Sequence, residues 1–356
     1  MSVRRIIQTF DAWSARGEPI VLGTVYDTLG STYSKAGHRI LIAANGDYQG
    51  LVSGGCLEGD LAERARKVVV SRLPCAVTYD LRDEVDELWG LGVGCNGLIR
   101  VFLQPLLPAE DYEPFAAIAR CLLGKHRAAI ATVIDSPDPA IAPGATLIAS
   151  DESSRSWGLP RALADEFAAQ CRSVSVSGAA SYRKERSGLE VLYAPLIPVP
   201  RVLVLGAGLD AIPLVGMAAD LGWRVTVADH RPGYLQRGGF ERAENAVLVE
   251  PDALRDSLPL DDFDAVIVMS HHLLTDRKYL AQLASIRAPY LGVLGPPARR
   301  KRLLAELAAD APGLHARLKG PVGLDIGADS PEAIALSILA ELQATLAGEN
   351  RGRTAS

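Results

Sequence analysis

A short apolar strand that runs straight into a glycine-punctuated turn constrains this chain more than any other feature. Val202-Leu203-Val204-Leu205 is followed by Gly206-Ala207-Gly208-Leu209-Asp210-Ala211, and helical periodicity begins at once. In this arrangement the first glycine makes the turn and the second lets a phosphate approach the backbone. Ala211 keeps strand and helix close. The helix start offers free N–H groups and the positive end of its dipole to an anion. A second strand ends at Asp229, about twenty residues on, where an acid is placed to hold ribose hydroxyls. Arg231 follows and either attracts a further phosphate or pairs with Asp229.

The chain from Arg201 onward alternates short β-branched runs with helical patterns. Strands are expected at Arg201–Leu205, Arg224–Ala228, Ala246–Val249, Ala265–Met269 and Tyr290–Val293, and helices at Asp210–Leu221, Asp276–Ser285, Ala298–Asp310 and Pro331–Leu346. This predicts a parallel sheet covered on both faces, a Rossmann-type domain. Gly206, Gly208, Asp210, Asp229 and Arg231 are candidate cofactor-binding residues. His271 sits after the Ala265–Met269 strand, at the ligand-facing end of the sheet. It is a candidate contact, set against a reading in which one of His271 and His272 caps a loop and the other is solvated. Gly295 is a further candidate, and Arg299-Arg300-Lys301-Arg302 either reaches phosphates or forms a solvated face.

The N-terminal part repeats the mechanical logic. Tyr48–Val52 reads as a strand returning from an Asn45-Gly46-Asp47 turn, and Leu57–Val70 as a helix. Between them, Ser53-Gly54-Gly55-Cys56 is placed to form an anion nest with Gly54 and Gly55 as its bare positions. Cys56 at a helix start is favoured as thiolate. Glu58 is either a local first-turn charge or a site carboxylate. Gly92-Val93-Gly94-Cys95-Asn96-Gly97 is too bare to be explained by packing and implies close backbone approach, with Gly94 and Cys95 at its centre. Cys56 and Cys95 are each either a functional thiol or a small buried hydrophobe. Cys75, Cys121 and Cys171 read as core residues. An odd cysteine count without CxxC spacing argues against a disulfide framework or structural zinc and fits a reducing compartment.

Expected domains are 1–107, a middle α/β region with linker at 108–200 closed by Pro195, Pro198 and Pro200, a Rossmann-type domain at 201–348, and a tail at 349–356. No internal repeat or low-complexity tract is visible. A net charge of −5 speaks against nucleic acid or membrane surfaces as partners, and no apolar run is long enough for a signal peptide or a membrane span, so the expected location is cytoplasmic.

Taken together, the ordered motifs resemble the XdhC/CoxI family, accessory proteins of molybdenum hydroxylases. They are Gly30-Ser31-Thr32, Ser53-Gly54-Gly55-Cys56-Leu57-Glu58, Gly92-Val93-Gly94-Cys95-Asn96-Gly97, Val204-Leu205-Gly206-Ala207-Gly208, Val227-Ala228-Asp229-His230-Arg231-Pro232, Tyr290-Leu291-Gly292-Val293-Leu294-Gly295 and Pro321-Val322-Gly323-Leu324-Asp325-Ile326-Gly327, with the stretch from Pro331 to Glu341. The family's Gly-Ser-Thr-Pro loop here has Tyr33 for proline and Lys35 for arginine, and Asn96 stands where glycine is common. The resemblance implies a mixed α/β XdhC/CoxI domain ahead of the Rossmann-type one. It also implies a cofactor chaperone more than a substrate-turnover enzyme. Such a protein binds the molybdenum cofactor, supports its sulfuration, and delivers it to an apo molybdenum hydroxylase such as xanthine dehydrogenase. A cysteine desulfurase would supply the sulfur, and a homodimer is the expected assembly. Cys95, Cys56 and Glu58 are then the candidate catalytic residues, with Cys95 as ligand to a soft metal. The alternative is an NAD(P)-dependent oxidoreductase, although no hydride-transfer constellation such as Tyr-x-x-x-Lys is visible.

Overall fold

The computed structural model describes residues 2–82, 97–308, 311 and 313–352, with side chains described as far as residue 348. The chain forms two compact units, Met1–Pro198 and Val199–Ser356.

The first unit begins with α1 (Val3–Ser14), whose buried face carries Ile7 and Phe10, and continues into β1 (Ile20–Gly30), β2 (Arg39–Ala43) and β3 (Tyr48–Gln49). Then come α2 (Glu58–Ser71), β4 (Cys75–Asp80) and β5 (Gly97–Leu106). These strands make an antiparallel sheet in the order β3-β2-β1-β5-β4. Strand β1 runs as far as Gly30: past a register shift between Val25 and Asp27, Thr28, Leu29 and Gly30 still pair with β5.

The middle region has α3 (Phe115–Leu123), β6 (Ala128–Asp135), β7 (Thr146–Ser150), β8 (Ser154–Trp157), α4 (Arg161–Ser177), β9 (Ser181–Lys184) and β10 (Glu190–Leu196). Its strands form a second antiparallel sheet, β8-β7-β6-β10-β9. Helix, three strands, helix, two strands is therefore used twice, with the same strand order each time. This corrects the expectation of no internal repeat: the repeat is one of topology, and the side chains that fill it differ. The segments expected as separate pieces at 1–107 and 108–200 also share a core. Ile7, Phe10, Leu22 and Phe102 pack in one cluster with Phe115, Ile118, Ile130 and Leu192. Outside this shared layer, α2 covers the far face of the first sheet and α4 that of the second.

The second unit is a parallel sheet in the order β13-β12-β11-β14-β15-β16. Its strands are β11 (Arg201–Leu205), β12 (Arg224–Asp229), β13 (Asn245–Leu248), β14 (Ala265–Val268), β15 (Tyr290–Val293) and the short β16 (Leu318–Lys319). Long apolar stretches buried on both faces are what such a sheet requires. One face is covered by α5 (Ala211–Asp220) and α11 (Pro331–Gly352). The other is covered by α7 (Leu254–Ser257), α8 (Leu273–Leu283), α9 (Pro297–Leu307) and α10 (Leu314–Arg317), while α6 (Pro232–Gln236) follows β12. Successive strands step outward on both sides of β11, so the order reverses between β11 and β14. That switch point opens the crevice where open α/β sheets take ligands.

No helix among the described residues is long and apolar enough to cross a membrane.

Candidate functional site

Strand direction brings the N-terminal motifs together. β1 and β3 end, β4 ends and β5 begins at the same end of the first sheet. Gly30 pairs with Gly97, and a Cβ on Gly97 would lie 2.5 Å from Ser31 O and 2.7 Å from Thr32 Cγ2. Only glycine allows the Gly30–Thr32 loop to rest on the start of β5. The ring of Tyr33 lies against Gly54, 3.5 Å from where its Cβ would stand. Gly54 and Gly55 both adopt left-handed φ angles, 80° and 118°.

Glu58 opens α2 and is fully buried. Its Oε1 accepts the backbone N–H groups of Val52 at 2.8 Å and Ser53 at 2.9 Å. Its Oε2 accepts the Ser53 hydroxyl at 2.6 Å and the Gly55 N–H at 3.0 Å. Burial pushes this carboxyl up, but the Ser53 hydroxyl and the Ser53 and Val52 amides outweigh it and hold Glu58 below its ordinary value. The nest expected for a ligand anion is thus occupied at these amides by the chain's own carboxylate, and Glu58 acts as a positioning group. Ser53, given no role of its own by the sequence, completes the loop by accepting the Leu57 N–H at 2.7 Å.

Cys56 is half-buried, just ahead of α2. Cys95 and Gly94 lie outside the described residues. The remaining thiols are poor nucleophiles: burial raises Cys75 and Cys121, and pushes Cys171 up to about 12. Among the described residues no group of three or more His, Cys, Asp or Glu side chains is arranged to hold a metal ion.

At the switch point of the second unit, Gly206 has φ 126°, and a Cβ there would lie 2.5 Å from Met269 O. Its bareness lets the turn pack on the end of β14. Asp229 is fully buried at the end of β12. Its Oδ2 accepts the Ala207 N–H at 2.7 Å and Arg231 Nη2 at 2.8 Å, while Oδ1 accepts the Arg231 backbone N–H and Nε, both at 2.9 Å. Of the two roles open to Arg231, the geometry selects the ion pair. Its guanidinium also lies over the Tyr234 ring, 3.6 Å from the centroid. In this arrangement Asp229 fastens the glycine turn to β12 and does not reach out for a ribose.

Asp210, directly before α5, meets His271 Nε2 at 2.7 Å across the switch point, with its Oδ1 beside Gly208. His271 holds a left-handed backbone, φ 61°, rare for a side-chain-bearing residue. His272 caps α8 by accepting the Thr275 N–H. Gly295, φ 123°, has a structural explanation: a Cβ would lie 2.6 Å from Arg299 Cδ. That clearance lets Arg299 reach the buried Asp276, with Nη2 at 2.6 Å, and Asp276 also accepts the Ser270 hydroxyl. The three arginines of the basic run are spent within the domain. Arg300 donates to Leu318 O and His315 O, and Arg302 pairs with Glu306. The Ser270–Asp276–Arg299 network was not apparent beforehand; its one trace in sequence is an acid in the first turn of α8.

Two family models match the chain. One described as the XdhC Rossmann domain covers residues 202–342, and one described as the XdhC and CoxI family covers residues 13–80. The chain is 31% identical over 334 residues to a Bacillus subtilis protein named as a probable subunit of xanthine dehydrogenase, spanning 93% of this chain and 94% of that one. It is 30% identical over 146 residues to the uncharacterized protein YqeB of Escherichia coli, 40% of this chain and 27% of that one. A crystal structure titled as a xanthine dehydrogenase from Bacillus halodurans superposes with a TM-score of 0.79 at 30% identity, over 98% of this chain and 96% of that one.

Proposed function

Since this chain belongs to the XdhC and CoxI family, we propose that it serves the maturation of a xanthine dehydrogenase-type enzyme by carrying the molybdenum cofactor to it. The observation that supports this most is the convergence at one end of the first sheet. The Gly30–Tyr33 loop, the Ser53–Cys56 turn and the start of β5 come from three distant stretches; the loop rests on β5 through a contact only Gly97 permits, and Tyr33 lies against Gly54 of the turn. A half-buried thiol stands beside them.

The donor set fits a cargo of this kind. A metal that arrives inside an organic cofactor needs little from the protein beyond one soft donor, and no multi-ligand metal cage is required. Cys56 is the described candidate, and Cys95, which lies outside the described residues, is the other. When bound, the cofactor brings the redox-active metal that the client enzyme uses. The chain's own part is to shape the loops, hold them with Glu58, and present a thiol. Sulfuration of the cofactor through a cysteine desulfurase, delivery to the apo molybdenum hydroxylase, and a two-fold dimer complete the reading. In the second unit the switch point of the XdhC Rossmann domain, beside the Asp210–His271 bridge, is where a nucleotide portion would be received.

The test is mass spectrometry of small molecules released from freshly purified protein, with reconstitution of an apo molybdenum hydroxylase. Pterin is expected in the released fraction, reduced in Cys56→Ala and Cys95→Ala, with slower activation of the client. Pyridine nucleotide without pterin, together with normal client activation by both variants, would overturn the proposal.

A further inference from the structure

An open cavity of about 450 Å³ lies in the first unit, within the size range of small-molecule sites. Ile6, Ile7, Phe115, Leu122 and Pro195 form an apolar wall, and Tyr33, His38 and Arg39 supply the polar atoms. Arg39 is the first residue of β2. By strand alternation it shares its face with Leu41, which packs with Ile7, Phe115 and Leu122 in the layer between the two sheets. A guanidinium is therefore directed onto an apolar face.

Its Nη2 is buried and, among the described residues, has no hydrogen-bond partner. Every arginine noted at the switch point has an acid or a carbonyl; Arg39 does not. Buried charges are ordinarily paired, so one aimed into a cavity is a group waiting for a counter-ion. Burial draws the guanidinium down to about 10, which leaves it charged at neutral pH. Neighbouring His38 is lowered by desolvation and then by the Arg39 charge, so it adds little positive charge of its own. Gly50 keeps the floor open: at φ 125° it passes so close to β2 that a Cβ would lie 2.7 Å from Arg39 O.

We propose that this cavity binds a small organic anion, an oxyanion borne on an apolar body, with Arg39 as its anchor. A carboxylate and a phosphate monoester present the same chemistry to a guanidinium fork, and the apolar wall selects against a bare inorganic ion. The site adjoins the cluster of family motifs through Tyr33, which touches Gly54 on one side and lines the cavity on the other. It does not depend on the molybdenum reading, because its probes contain neither pterin nor metal.

The experiment titrates the full chain with hexanoate, phenyl phosphate, inorganic phosphate and the neutral control hexanol, following melting temperature and calorimetric heat. Hexanoate or phenyl phosphate is expected to raise the melting temperature saturably, whichever binds tighter naming the headgroup, with hexanol inert and inorganic phosphate at least tenfold weaker. Arg39→Met is expected to abolish the response and to raise the melting temperature of the unliganded protein by about 2–4 °C, since an unpaired buried charge is gone. A purely structural arginine would give the opposite sign. Arg39→Lys keeps the charge without the fork and should bind more weakly. Should Arg39→Met not fold, Ile6→Trp fills the cavity from α1 and should abolish binding with Arg39 intact. No saturable response in the parent protein, equal binding of inorganic phosphate, or an undiminished response in Arg39→Met or Ile6→Trp would overturn the proposal.

Discussion

The carboxylate of Asp229 sits 2.7 Å from the backbone nitrogen of Ala207, inside the very turn whose bare glycines announce an anion site. Glu58 does the same to the Ser53–Gly55 turn in the other unit. Each turn is thereby held in shape without a ligand, at the expense of some of its amides. The first prediction follows from the Asp229 side. Asp229→Ala leaves the Ala207 N–H and the Arg231 guanidinium without their acceptor. Arg231 is partly exposed and recovers some hydration, so the loss should fall near about 2–3 kcal/mol, below that of a wholly buried pair. Urea denaturation should show it, and a change below about 0.5 kcal/mol would mean the carboxylate is not fastening the turn.

Glu58 makes the stability of the first unit depend on acid. Its folded value is depressed below the ordinary 4.5, so the folded state binds the proton less readily than the unfolded chain. The stabilisation is present in full above about pH 4.5 and is lost as pH falls through the depressed value. Glu58→Gln puts an N–H₂ group against backbone donors and should cost about 2–3 kcal/mol at neutral pH. Denaturation midpoints of parent and variant, compared from pH 7 down to pH 3, should converge as the parent's carboxylate is protonated. A gap that stays constant with pH would show that the charge is irrelevant.

How much of this was legible beforehand differs between the units, for physical reasons. In the Rossmann-type domain β11, β12, β14 and β15 are short, mainly apolar runs that are almost wholly buried, so they stand out by composition alone. β16 does not, being two residues long, Leu318 and Lys319. In the first unit β8, Ser-Arg-Ser-Trp, and β9, Ser-Tyr-Arg-Lys, are polar edge strands, and edges need no apolar run. Composition therefore shows only the three inner strands of the second sheet, β7, β6 and β10, and without its two edges the repeated topology cannot be read. The glycines of the site were visible, but not what each clears space for. Gly295 yields to Arg299 and Gly97 to the Ser31 carbonyl, partners that only the fold supplies.

His271 carries two opposing contributions that substitution can separate. Its left-handed backbone costs about 1 kcal/mol, and its bridge to Asp210 returns less than about 1 kcal/mol because the imidazole is 59% exposed. His271→Gly removes both and should be close to neutral in thermal stability. His271→Ala keeps the strain and loses the bridge, and should melt lower; His271→Asn, which tolerates the left-handed region, should fall between. If alanine and glycine melted alike, the strain would have no energetic consequence.

Gly97 and Gly55 provide the sharpest contrast between a glycine needed for space and one needed for conformation. A Cβ on Gly97 would lie 2.5 Å from Ser31 O and 2.9 Å from Leu29 O, both backbone atoms that cannot swing aside as a side chain can. A Cβ on Gly55 meets nothing within 4 Å, but its φ of 118° is unfavourable for any other residue. Gly97→Ala must push the Gly30–Thr32 loop off β5, at about 1–3 kcal/mol, and displaces the surface on which the three motifs meet. Gly55→Ala carries a backbone penalty of about 1–2 kcal/mol while Glu58 continues to hold the turn. The two should therefore lose similar stability and differ in function: cofactor content of the purified protein should collapse in Gly97→Ala and persist in Gly55→Ala. Equal loss of cofactor in both would mean that the turn amides themselves, and not the packed loop junction, receive the cargo.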